Sequence, residues 1–132
     1  MAKWIARALR DASSAVYFRD ILVFVARRGG NPLERCTGFE WDEGNTHKNW
    51  ERHRVTPEDA EDVFFNEPLL IATDVRHSGQ ERRFYALGQT SVGRRLFVSF
   101  TVRGSLIRVI SARDMNRSES EAYARREEKA DT

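Results

Sequence analysis

Apolar residues recur at helical spacing near the amino terminus: Ile5, Leu9, Ala12 and Val16 fall at i, i+4, i+7 and i+11, with Arg7, Arg10 and Asp11 elsewhere on the wheel. This predicts an amphipathic helix over residues 4–16. Ile21 to Val25 is a β-branched apolar run that fits helix or strand, and Gly29-Gly30-Asn31-Pro32 is a stop signal. Residues 1–38 therefore read as an amino-terminal extension that closes in a linker over 29–38. A lone helix of about 14 residues is marginal in water, so the extension either docks or stays disordered. The main domain is expected at 39–132.

Within that domain Phe39 to Trp41 reads as a short strand, and Asp42 is placed to cap a helix running to about His53. A second helix follows at once. Thr56 is its N-cap, Pro57 occupies the first helical position where a missing N–H costs nothing, and Asp59 stands three residues past the cap. Ala60, Val63 and Phe64 form its buried stripe, and Asn66 to Pro68 ends it. The pattern then changes period. Residues 69–76, 82–89, 94–102 and 105–112 read as four strands joined by short Gly-containing turns, which predicts an antiparallel meander. In the third strand Leu96, Val98, Phe100 and Val102 share one face, expected to be core, and Arg95, Phe97, Ser99, Thr101 and Arg103 share the other. Ser118 and Glu121 match a capping box for a last helix whose only sizeable apolar residue is Tyr123, so fraying is expected. The fold class is α+β: two helices packed on a four-stranded antiparallel sheet, a carboxy-terminal helix, and the extra helical segment in front.

Composition narrows the function. At 132 residues the chain is one domain with a feasible core, and its aromatic residues argue against intrinsic disorder. A single cysteine, Cys36, excludes an internal disulfide framework and implies a reducing, cytoplasmic setting. The longest apolar run, Ile21 to Ala26, is far short of the roughly 18–20 residues that span a bilayer, so no membrane association is expected. The net charge of +2 hides a strong division along the chain. Residues 1–38 carry +4, 39–67 carry −6, 68–113 carry +6 and 114–132 carry −2. The basic block consists of Arg76, Arg82, Arg83, Arg94, Arg95, Arg103, Arg108 and Arg113, with no lysine. Guanidinium forks grip phosphate through two parallel hydrogen bonds, which makes a phosphate-bearing partner the natural expectation. The competing reading is a solvated face in a chain where 19 of 22 basic residues are arginine.

Cofactor chemistry has little to stand on. His47 and His53 are six apart, on opposite sides of a helix, and His77 falls in a turn, so no metal-ligand spacing exists. The glycine patterns of dinucleotide, P-loop and serine-hydrolase sites are absent. No cofactor is expected. RNA cleavage needs none, because the 2′-OH is an internal nucleophile and the protein supplies a base, an acid and cations for the charge on the phosphorane. His53, His47, Lys48 and Glu81 are the groups open to the proton-transfer roles, each with a plainer alternative as a surface residue. Glu81 in particular sits beside Arg82 and Arg83 as an ordinary ion-pair partner would.

Phe39-Glu40-Trp41-Asp42, then Lys48, Asn49 and His53, then Val55 with Pro57 to Ala60, resemble the first half of BrnT-type toxins. Gly79-Gln80-Glu81-Arg82-Arg83-Phe84 with Leu87-Gly88, Leu96-Phe97-Val98 with Phe100-Thr101, and Ile107 to Arg113 are similar to the family's second half. The resemblance covers about residues 39–126. It implies a RelE-like fold and a metal-independent endoribonuclease that inhibits translation. It also implies a BrnA-like antitoxin that neutralises the toxin in a heterotetramer and alone contacts operator DNA. Arg82, Arg113, His53, Lys48 and Glu81 are then the catalytic candidates, and Arg76, Arg83, Arg94, Arg95, Arg103 and Arg108 the RNA-binding ones. The family usually reads Lys-His-Gly where this chain has Arg52-His53-Arg54, which removes a glycine suited to a helix C-cap. Two other readings fit the same arginine face: a non-catalytic RNA- or ribosome-binding module, and an interaction protein that docks an acidic helix.

Overall fold

The computed structural model describes residues 14–18, 21–25, 32–74, 76 and 79–130. In chain order the elements are β1 (Ser14–Phe18), β2 (Ile21–Val25), β3 (Gly38–Glu40), α1 (Glu43–His53), α2 (Pro57–Val63), β4 (Leu70–Asp74), β5 (Arg83–Gln89), β6 (Arg95–Arg103), β7 (Leu106–Asp114) and α3 (Arg117–Ala130). The strands form one sheet in the order β1-β2-β4-β5-β6-β7-β3. The expected meander is its centre, since β4 to β7 pair antiparallel in sequence order.

The sheet is nevertheless mixed and wider than four strands. β3 adds parallel to β7, with Phe39 opposite Ile107, and the β1–β2 hairpin adds through β2 to β4. A three-residue strand carries too little alternation to reveal a parallel partner some seventy residues away. The extra amino-terminal helix is also corrected. Its residues 4–13 lie outside the described residues, but Ser14, Ala15 and Val16, the end of the expected stripe, belong to strand β1. β-branched and aromatic content in residues 14–25 favours strand pairing over the helical period. The expected linker is not merely a connection either: Leu33 and Cys36 are almost completely buried in the main core.

Local chemistry explains the first two helices. The Asp42 side chain accepts from the Asn45 N–H at 3.1 Å, and Thr56 and Asp59 form a reciprocal capping box at 3.1 and 3.3 Å. α2 then lays Ala60 and Val63, with Phe64 just beyond it, on Phe84, Ala86, Leu96, Val98 and Phe100 of the sheet. Val63 needs the bare backbone of Gly88, because a Cβ there would stand 2.5 Å from Val63 Cγ1.

α3 packs on the opposite face. Its buried Tyr123 sits among Leu70, Ala72 and Leu87, and the phenol donates to the Pro68 carbonyl at 2.6 Å. One fully buried aromatic thus anchors the helix, against the expectation of fraying. The cap is also displaced by two residues. Asn116 and Glu119 exchange side-chain and backbone bonds at 2.8 and 2.9 Å, in place of the expected Ser118 and Glu121. Among the described residues no helix is long and apolar enough to cross a membrane.

Candidate functional site

Register assigns side chains to the sheet face that carries α3. Three transverse rows result. The first runs Asp74, Arg83, Thr101, Arg108 and Glu40 across β4, β5, β6, β7 and β3. The second runs Ala72, Tyr85, Ser99 and Ser111, and the third Leu70, Leu87, Phe97 and Arg113. α3 seats on the Leu70–Leu87 end, so half-buried Arg83, Arg108, Tyr85 and Ser111 occupy the remainder. A row of hydroxyls thus lies between arginines on either side.

Arg113 is the most constrained of these arginines. Its guanidinium lies 4.2 Å from the Phe97 ring centroid and makes a bidentate pair with buried Glu119 at 2.8 and 3.0 Å. A further bond runs to the Asp114 carbonyl at 3.1 Å, which leaves about two of the five N–H donors for a ligand. At the same end of β7, Arg94 donates to Asp114 Oδ1 at 2.8 Å and to the carbonyls of His53 and Arg54 at 2.9 and 2.8 Å. The Arg94 hydrogen bond, with a smaller electrostatic contribution from His53, holds the Asp114 carboxyl below the ordinary carboxylate range. His53 at the end of α1 therefore lies near the Asp114 carboxylate, whereas Arg113, on the opposite face of β7, reaches only the Asp114 backbone carbonyl.

The other candidates are spread. Arg82 points to the opposite face, with its guanidinium 5.7 Å from the Phe84 centroid. Glu81 pairs with Arg103 at 2.8 Å, and that bond lowers the Glu81 carboxyl, so it is committed as an ion-pair partner. Both stand at the Thr101 end of the sheet. Arg113 stands at the Phe97 end, four residues away on β6 or about 13 Å at ~3.3 Å per residue. Lys48 is half-buried on α1, which packs through Asn49 on the face that α2 covers, opposite α3. Arg95 pairs with Glu127, and Arg108 reaches the α1 cap residue Asp42 at 3.2 Å. Arg76 is exposed, and His77 lies outside the described residues. His47 meets Glu51 one turn on at 3.3 Å. Among the described residues no cluster of three or more His, Cys, Asp or Glu side chains is positioned to hold a metal ion.

Three residues of this region have no role assigned by sequence pattern. Asp114 sits in an acidic carboxy-terminal block, Glu119 stands beside a competing capping match, and Tyr85 is one aromatic in a strand. Parity alone puts Tyr85 on the face of Arg83, so that signal is present in the sequence.

A family model described as ribonuclease toxin, BrnT, of type II toxin–antitoxin system matches residues 41–119. Among solved structures, the Brucella abortus ribonuclease toxin BrnT is 21% identical, with a TM-score of 0.44, over 61% of this chain and 99% of that one. No curated protein matches the chain.

Proposed function

The chain belongs to the BrnT family of ribonuclease toxins of type II toxin–antitoxin systems, and on that premise we propose that it is a metal-independent endoribonuclease that arrests translation in the cytoplasm. As a type II toxin it pairs with a protein antitoxin. The partner in this reading is BrnA-like, neutralises the toxin by direct binding in a heterotetramer, and is the only component that touches operator DNA.

The observation that supports the reading is the α3-bearing sheet face lined by Arg83, Arg108 and Arg113, with His53 near the Asp114 carboxylate at the end of β7. The 2′-oxygen of the substrate attacks the adjacent phosphorus and the P–O5′ bond breaks, giving a 2′,3′-cyclic phosphate and a free 5′-OH. A base receives the 2′ proton and an acid returns one to O5′. His53 is the foremost candidate for proton transfer because it lies at the end of α1 near the Asp114 carboxylate. The remaining N–H groups of Arg113 face charge developing on the phosphorane. Arg83 and Arg108 hold flanking phosphates as sequence-independent cations. Lys48, Glu81 and Arg82 are peripheral in this arrangement.

The test is inducible expression with and without the antitoxin, with mapping of RNA ends. Growth arrest, new 5′-OH ends and persistence of cleavage in EDTA are expected. Normal growth with abundant folded protein counts against the toxin reading, and RNA binding without cleavage favours the non-catalytic module.

A further inference from the structure

Tyr85 is a titratable aromatic that the proton-transfer scheme does not use. It projects from β5 on the α3-bearing face, opposite Ser99 and next to Arg83 in alternation. Its ring lies 4.8 Å from that of Phe97 at an interplanar angle of 44°, and the Arg113 guanidinium lies 4.2 Å from the Phe97 ring centroid. Arg113, Phe97 and Tyr85 thus form a row of contacts across three strands. The row ends on a half-buried tyrosine.

The polar surroundings decide what fits over that ring. The phenol hydrogen-bonds to Asp74, a carboxylate only 3% exposed, which pins the ring in one orientation. Burial together with Asp74 pushes the phenol up to about 12, so it stays neutral at physiological pH. A phosphate directly above Tyr85 would face the Asp74 charge, whereas Arg83 and Arg113 on either side attract phosphate. A flat neutral group over the ring with anionic groups to both sides is the pattern of a nucleotide in single-stranded RNA, whose bases stack on aromatic side chains.

We propose that Tyr85, backed by Phe97 and Arg113, is a nucleobase-stacking site that fixes one unpaired base of the substrate beside the cleavage position. This rests on the ribonuclease reading above. The ring is the contacting group, and the hydroxyl only orients it through Asp74.

The test uses the full chain and a mixed-sequence 2′-O-methyl RNA oligomer, which cannot supply the nucleophile, together with a series in which each base in turn is made abasic. Stacking on an aromatic side chain implies that one abasic position weakens wild-type binding by about 5- to 100-fold. Tyr85→Leu should bind the intact oligomer that much more weakly and lose sensitivity to the abasic position, whereas Tyr85→Phe should stay near wild type. Should Tyr85→Leu fail to fold, Tyr85→Trp decides the matter: its added emission should be quenched by the intact oligomer and not by the abasic one. Equal affinity of Tyr85→Leu and wild type, a Phe variant as weak as the Leu variant, or unquenched emission from the introduced indole overturns the proposal. A wild-type chain that binds no RNA overturns the ribonuclease reading itself, while wild-type binding indifferent to residue 85 overturns this inference alone.

Discussion

Arg108 and Arg113 share one face of the sheet although they are five residues apart, because Ile110 has no partner on β6. Ser111 pairs with Ser99 and Val109 with Phe100, so the extra residue forms a bulge and reverses the alternation. Without it Arg113 would point at the core beneath α1 and α2. Asn49 steadies this break from the other side, since its Oδ1 accepts from the Ala112 N–H at 3.3 Å. Its Nδ2 is buried with no hydrogen-bond partner among the described residues.

The bulge leads to a test of Arg82 and Arg113, the two arginines that sequence pattern places in one catalytic set. Arg113→Ala should lower RNA cleavage about 10²- to 10³-fold, the usual loss of one donor to a developing oxyanion, and Arg113→Lys should recover only part of it. Glu119→Gln loosens the bidentate clamp on Arg113 and should reduce the rate less than Arg113→Ala. Arg82→Ala, on the other face, should retain most activity. Single-turnover cleavage rates compare the variants, and the opposite ranking of Arg82 and Arg113 would move the site to the Glu81 end of the sheet.

Acid should weaken one specific contact. The Asp114 carboxyl is depressed from its ordinary value of 3.8, first by the Arg94 hydrogen bond. A depressed carboxylate stabilises the fold above its unfolded value, and that contribution is lost as pH falls through the folded one. Asp114 is mostly exposed, so solvent screening limits the pair to about 1 kcal/mol or less. In urea titrations wild type should therefore exceed Asp114→Asn modestly at pH 7, and the gap should close below pH 3.8. Arg94→Ala also removes donors from the His53 and Arg54 carbonyls, and a loss of about 1–3 kcal/mol should persist at low pH. A gap for Asp114→Asn that widened in acid would contradict the assignment.

Much of this arrangement was legible where one short-range rule governed one stretch of chain. Asp42, Thr56, Pro57 and Asp59 announce two helix starts because caps act within three or four residues. Leu96 to Arg103 announces its faces because alternation is strict along β6. Long-range facts were not legible. No local pattern pairs Phe39 with Ile107 in parallel, and nothing in Ile107 to Arg113 distinguishes a bulge at Ile110 from an unbroken strand. Charge counts were legible, but charge partners were not. Arg94, Arg95, Arg103, Arg108 and Arg113 all meet carboxylates in the fold, several of them supplied from distant blocks. The basic surface is consequently less free than the +6 block suggested.

Leu33 provides a measure of where the folded unit begins. It is fully buried in the core with Val55, Val63 and Phe64, although it precedes the boundary expected at residue 39. Leu33→Ala should cost about 2–5 kcal/mol, the range for a core leucine truncated to alanine. Chemical denaturation supplies the value. A loss below about 0.5 kcal/mol, typical of a surface substitution, would return residue 33 to the linker.

Arg54 offers the opposite outcome, a substitution that should stabilise. It is the C-cap of α1 and adopts φ 53°, ψ 42°, the left-handed conformation in which a Cβ crowds the following carbonyl. Its N–H bonds to the carbonyls of Asn49 and Trp50, so the chain needs this conformation to end the helix. Glycine, which the family usually carries here, adopts it freely. The arginine is partly compensated by its guanidinium, which lies 5.1 Å from the exposed Trp50 ring centroid and adds a contact of about 0.5–1 kcal/mol. The left-handed penalty of about 1–2 kcal/mol exceeds that contact, while glycine's extra unfolded-state entropy returns part of the difference. Arg54→Gly should therefore raise stability by up to about 1 kcal/mol, and Arg54→Ala, which keeps the Cβ and loses the ring contact, should lower it. The order glycine, arginine, alanine in urea midpoints is the expected result. Alanine as stable as glycine would mean that φ at residue 54 relaxes in solution and that the cap carries no strain.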